Sequence, residues 1–293
     1  MRPLSPNIAF AMFVILLAAR DVGADLLLLD DTQESRTCLA FLICATISVL
    51  SFAILAVNGD GLGSLPSKLQ RKGVRTRVIA LGLWAAVVYL VTFNMIGRKG
   101  VGAGLFDLFD YGLAPILAAG LGVLMFNEIF KKRLIVVLPM YLVGLFFLFW
   151  HHDLSGLAWM ALAVLSPIGT SLSDALTKWL LSAKGGLSRS EVLFVRFMPA
   201  TIIIAVWVFA NGQSIHLHEA ILSMPLAVVG GFAPLWFLCY GLERADLSKY
   251  AIWECLIPVV AFAVTLLWHP DTFTFLRGLG AILIVLALVV NEI

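Results

Sequence analysis

Charge is scarce in this chain: Asp, Glu, Lys and Arg make up 13% of its 293 residues, while 61% are hydrophobic and the mean hydropathy is +1.00. A water-soluble domain could not hide that much apolar surface, so a lipid bilayer is the solvent that fits. The formal net charge is only +2. Its basic residues fall in short loops and form no single patch, which argues against a nucleic-acid partner. Cysteine is also sparse: Cys38, Cys44, Cys239 and Cys255 all sit in apolar stretches without a CxxC pair, and read as packing residues. No stretch is polar enough or long enough to form a separate soluble domain.

What is present is a succession of apolar runs. A spanning helix needs roughly 20 mostly apolar residues, and such runs predict helices near 8–29, 37–57, 78–97, 101–126, 134–150, 155–180, 191–210, 219–241, 249–268 and 275–292. The first is longer than a signal-peptide core and lacks a small-residue cleavage site, so it reads as a retained span. With the N-terminus in the cytoplasm, 14 of the 20 Lys and Arg fall on the inner side, and the outer side receives Arg36, Arg98, Lys99 and Arg277. The positive-inside rule therefore predicts a multi-pass protein of the inner (plasma) membrane with both termini cytoplasmic.

The chain resembles itself. A shift of 143 residues superposes Pro115 on Pro258 and Glu128 on Asp271. This predicts two five-helix halves, 1–152 and 153–293. An odd number of spans per half makes the repeat inverted, so the expected fold class is an all-α membrane protein of ten transmembrane helices in two inverted repeats.

The stretch LAPILAAGLGVLMFNEIFKKRLIVVLPMYLVGLFFL, Leu113 to Leu148, has a mid-helix proline, an acidic end and a following glycine-bearing helix, and a weaker copy runs from Leu256 to Val290. Together with the helix count, these resemble the drug/metabolite transporter superfamily, specifically its EamA-type members. Arg36 and Arg196 stand near positions where that family often carries an arginine. The resemblance implies a secondary transporter, more often an exporter, with no enzymatic activity. The chain departs from the family pattern in LLAARDVGADLLLL of the first helix and LFDLFDYG of the fourth, so no member's substrate transfers to it.

An ionisable side chain near the bilayer centre costs at least about 2.5–3.5 kcal/mol and is a functional hypothesis by default. Here such residues are Arg20, Asp21, Asp25, Asp107, Asp110, Asp174, Arg196 and Glu254. Asp21 and Asp25 are four apart and Asp107 and Asp110 three apart, which puts each pair on one helix face. The 143-residue shift sets Glu254 opposite Tyr111 and Trp253 opposite Asp110, so each half aims an acid and an aromatic at the shared interface. The predicted site binds an amine-bearing or zwitterionic small molecule: an amino acid, a polyamine or a metallophore. Its acids are Asp21, Asp25, Asp107, Asp110 and Glu254. Arg20 or Arg196 is available for a carboxylate, and Trp84, Tyr89, Tyr111, Trp236, Tyr240 and Trp253 serve as walls. Asp21, Asp110 and Glu254 are the candidates for proton coupling. The competing reading is that these acids and arginines neutralise one another and lock helices together.

Glu128, beside Lys131, Lys132 and Arg133, reads as a structural ion pair or helix-end residue. Asp174 is either a gate or a solvated helix end, and Asp30, Asp31 and Glu34 a wetted loop. His151, His152, His216, His218 and His269 fall at outer ends without a completing acid or cysteine, so neither metal nor cofactor is expected. GVGAG at Gly100 to Gly104 reads as helix packing, as do Gly120, Gly122, Gly230 and Gly231. No nucleotide-binding motif appears. The expected partners are a small molecule, the lipid bilayer and protons, and the protein is a monomer or a homodimer. An intramembrane enzyme acting on lipid and an assembly or signalling subunit are the other classes, and no HExxH, GxSxG or Asp-rich motif favours the first.

Overall fold

The computed structural model describes residues 4–28, 33–57, 60–96, 102–129, 133–148, 164–213, 221, 223–268 and 273–292. Asp30, Asp31, Lys131, Lys132, Asp271 and the five histidines lie outside the described residues, as do the side chains of Asp25, Glu34, Asp107 and Tyr111. The described residues are helical and contain no strand.

The first half supplies α1 (Pro6–Leu28), α2 (Gln33–Val57), α3 (Asp60–Leu69), α4 (Val74–Ile96), α5 (Gly102–Phe126) and α6 (Leu134–Leu148). The second supplies α7 (Leu165–Leu181), α8 (Arg189–Ala210), a π-helical stretch (Leu226–Phe232) running into α9 (Ala233–Leu242), α10 (Leu247–Glu254), α11 (Ile257–Trp268) and α12 (Phe275–Glu292). Among the described residues, six stretches are long and apolar enough to cross a membrane: Pro6–Gly23, Arg36–Val57, Val74–Phe93, Arg189–Ala210, Ser223–Leu242 and Leu247–Leu267. Leu113–Phe126, Ile135–Leu148 and Phe275–Ala287 are shorter apolar helices. Large side chains such as Leu124, Val206, Leu267 and Phe275 are exposed on the outside, the arrangement that hydrocarbon tolerates and water does not.

Two elements differ from the sequence expectation. The short helix α3, rich in Gly and containing Pro66, was expected as a basic loop; Leu65 anchors it in a small core with Val74, Leu180, Leu187 and Val192. Its Lys68 donates to both carboxylate oxygens of Glu191, at 2.8 and 2.9 Å. Glu191 also accepts from the backbone N–H of Ser188, completing a capping box at the start of α8. The expected ninth span is broken at Cys255 and Leu256. Pro258 has no N–H to offer the carbonyl four residues earlier, that of Glu254, so the helix opens just after that acid.

The helices of one half find partners in the other in a recurring order: α4 packs on α7 and α9 on α1, α5 on α7 and α11 on α1, α4 on α8 and the π-helical stretch on α2. Like elements also meet, α2 with α8, α5 with α10, and α6 with α12. The last crossing brings backbone against backbone. A Cβ on Gly280 would stand 2.5 Å from the Gly144 carbonyl oxygen, and one on Gly144 would stand 2.9 Å from the carbonyl oxygen of Gly280. Small residues let backbones approach so closely in membranes. Gly280→Leu is expected to prise α6 from α12 and cost about 1–3 kcal/mol, read as a lower melting temperature in detergent. Gly120 corrects an expectation: among the described residues nothing lies within 4 Å of where its Cβ would stand.

The end of α5 is tied to two helices of the second half. Asn127 takes a left-handed φ of 53° and turns the chain so that the Glu128 carboxylate reaches across. Lys178 Nζ donates to its Oε1 at 2.6 Å, and the backbone N–H groups of Leu247 and Ser248 donate to Oε1 and Oε2 at 2.7 and 2.9 Å. Glu128 thus caps the N-terminus of α10, where a helix leaves its first N–H groups unpaired. Burial alone would push this carboxyl up; the Lys178 ammonium and the two backbone donors outweigh it and hold the carboxyl below the usual glutamate range. A depressed folded pKa means the clamp contributes fully above the ordinary glutamate pKa of about 4.3 and is lost as pH falls through the folded value. Glu128→Ala is expected to cost about 2–3 kcal/mol at neutral pH and progressively less in acid, measured by unfolding across that window.

Candidate functional site

Helical spacing brings one face of each of several helices to a common cavity of about 70 Å³. On α1 the lining face is Phe13, Leu17, Arg20 and Asp21; on α4 it is Tyr89, Thr92 and Phe93 with Val88. These are steps of three and four, one stripe of a helix. Asp110 enters from α5, Thr170 and Asp174 from α7, Arg196 from α8, and Tyr250 and Glu254 from α10. Gly230 lets α1 come this close: a Cβ there would stand 2.6 Å from Arg20 Cβ. Pro234, four residues on, cannot donate to the Gly230 carbonyl, which accompanies the local widening into a π-helix.

The charges sort into two pairs and two remaining acids. Arg20 donates through Nε and Nη2 to Asp21 Oδ1 at 2.9 and 2.7 Å. Arg196 Nη1 donates to Asp174 Oδ1 at 3.4 Å and to the Thr177 hydroxyl at 3.3 Å, and Tyr250 Oη donates to Asp174 Oδ2 at 2.8 Å. Asp110 and Glu254 are 8% and 2% exposed, and Asp110 Oδ1 and Glu254 Oε2 are buried without a hydrogen-bond partner. The facing groups are Ser166, Asp21, Arg20 and Asp174 for Asp110, and Tyr250, Asp174 and Asp110 for Glu254. A buried carboxylate with no cation is expensive, so each of the two needs a proton or a cationic ligand.

Six of the sequence candidates therefore meet at one place: Arg20, Asp21, Tyr89, Asp110, Arg196 and Glu254. Four aromatics do not line it. Trp84 packs where α4 crosses α7, against Gly169. Trp236 stacks on Phe232 at 5.7 Å beneath Arg189, and Tyr240 donates to the Leu4 carbonyl between Arg189 and Arg244. Trp253 follows the helix away from Glu254, its Nε1 buried and unpartnered. The side chains of Asp25, Asp107 and Tyr111 lie outside the described residues. Asp174 is 1% exposed and belongs to the cavity, which disposes of the solvated-end alternative. Tyr250, Thr92 and Thr170 were not foreseen; the i, i+4 relation of Tyr250 to Glu254 and of Thr170 to Asp174 is the signal that could have found them.

The model of the EamA-like transporter family matches residues 157–292. The match covers 136 of the 293 residues, all in the second half of the chain. That half is thus similar to a family of transporters. A solved structure described only as "Crystal structure of protein" agrees over 97% of this chain and 96% of that one at 15% identity, with a TM-score of 0.74, a likeness of fold. The search of curated proteins found no match.

Proposed function

We propose that this EamA-like protein is a secondary transporter that exports an amine-bearing metabolite across the inner membrane. Ten spans form two inverted five-helix repeats, 1–152 and 153–293, with both termini cytoplasmic, and the repeats alternate in opening the cavity to either side. The reciprocal order in which helices of the two halves pair supports the repeat. The observation that carries the site is that Asp110 and Glu254, contributed by different halves, line one cavity and each keep a buried oxygen without a partner. They are the residues proposed to hold the amine, and to carry protons on the return half of the cycle. Asp21, Tyr89, Arg20 and Arg196 complete the binding surface. The locking reading suits the Arg196–Asp174 pair, which joins α8 to α7; Arg20–Asp21 lies within α1, and the reading does not extend to Asp110 and Glu254.

Purified protein in proteoliposomes tests this. Accumulation of a labelled amine that depends on the protein, and that is driven by an imposed proton gradient, is expected. Absence of flux across a broad panel of amines, combined with chemical turnover of lipid, would replace the transporter with an intramembrane enzyme.

A further inference from the structure

Charge balance narrows the substrate further. Among the described residues, four carboxyls line the cavity and two guanidiniums answer them, each already engaged with its own aspartate. The excess is two acids, on two different helices, each with a buried oxygen lacking a donor. We infer that the cavity takes a short aliphatic diamine bearing two positive charges, one ammonium at Asp110 and the other at Glu254, with its methylenes against the aromatic wall. This rests on the transport reading above and replaces its broader range of amine-bearing and zwitterionic substrates.

The lining of the cavity agrees with a diamine. Tyr89 and Phe93, 5.9 Å apart, and Phe13 and Tyr250, 5.6 Å apart, supply apolar walls whose ring faces favour a cation. A zwitterion fits worse. Arg196 keeps one buried donor, Nε, without a partner. A carboxylate reaching it would share the guanidinium with Asp174 and add negative charge where two acids are already in excess.

The experiment compares three ligands of one chain length on the full-length wild-type protein in proteoliposomes: putrescine, butylamine and γ-aminobutyrate, as competitors of labelled putrescine uptake. Putrescine is expected to compete at least about tenfold better than butylamine, the value of one further charge-assisted hydrogen bond, and γ-aminobutyrate to compete least. In binding to the purified protein, Asp110→Asn and Glu254→Gln are each expected to narrow the advantage of putrescine over butylamine to less than about twofold. Competition by γ-aminobutyrate equal to that by putrescine would overturn the diamine and leave an amine transporter standing. No protein-dependent uptake or competition by any of the three overturns the amine site altogether, and the diamine with it. Because the ligand ranking is measured on the wild-type protein, a variant that fails to fold does not rescue the proposal.

Discussion

Replacing Arg196 with Met is expected to lower the free energy of unfolding by about 3–5 kcal/mol, because it leaves the Asp174 carboxylate buried beside Tyr250 with no cation. The magnitude decides what the pair is. Neutral hydrogen bonds between membrane helices average only about 0.6 kcal/mol, and the Arg196–Asp174 distance of 3.4 Å is long. A loss below about 1 kcal/mol would therefore mean that no orphaned charge is created and that Asp174 is held as a neutral acid. Combining Arg196→Met with Asp174→Asn is expected to recover most of the loss, since the double variant buries no uncompensated charge. Unfolding of the purified protein in mixed micelles, with the two single variants and the double variant as a cycle, measures this directly.

Asp110→Asn and Glu254→Gln should behave in the opposite way. Neither side chain forms an ion pair, so the fold is expected to lose nothing on unfolding measurements, whereas transport is expected to fall at least about 100-fold, equivalent to about 2.7 kcal/mol of lost substrate or proton interaction. Initial uptake rates normalised to folded protein, with melting curves alongside, separate the two effects. A variant that melts like the wild type and transports at the same rate would remove that acid from the site.

This contrast reflects how the site could be read before the structure. Arg20, Asp21, Asp110, Arg196 and Glu254 stood out because a charge in an apolar run is costly and must be answered by something. That penalty marks position along the chain and does not reveal which acid answers which arginine. The pairing of Arg196 with Asp174 depends on how α7 meets α8, so the sequence left Asp174 undecided. Aromatic residues carry no such penalty. Tyr89 lines the cavity while Trp84, on the same helix, packs at a crossing, and nothing in the sequence around them separates the two roles. The missing N–H of Pro258 is a local property that accounts for the break after Glu254, although the run 249–268 was expected as one span, and the π-helical stretch before α9 was not foreseen either. The helix α3 escaped because its glycines and Pro66 argue for a loop until Leu65 finds a core to enter.

The seam between α6 and α12 has one more implication. Among the described residues, each of these helices touches the other extensively, the two meet the rest of the molecule through the core around Cys255, Leu256, Val259 and Phe262, and neither contributes a side chain to the cavity. The pair is an outboard rib. Damage to it should show as reduced abundance in the membrane and faster clearance of the protein, with the surviving molecules working at their normal pace.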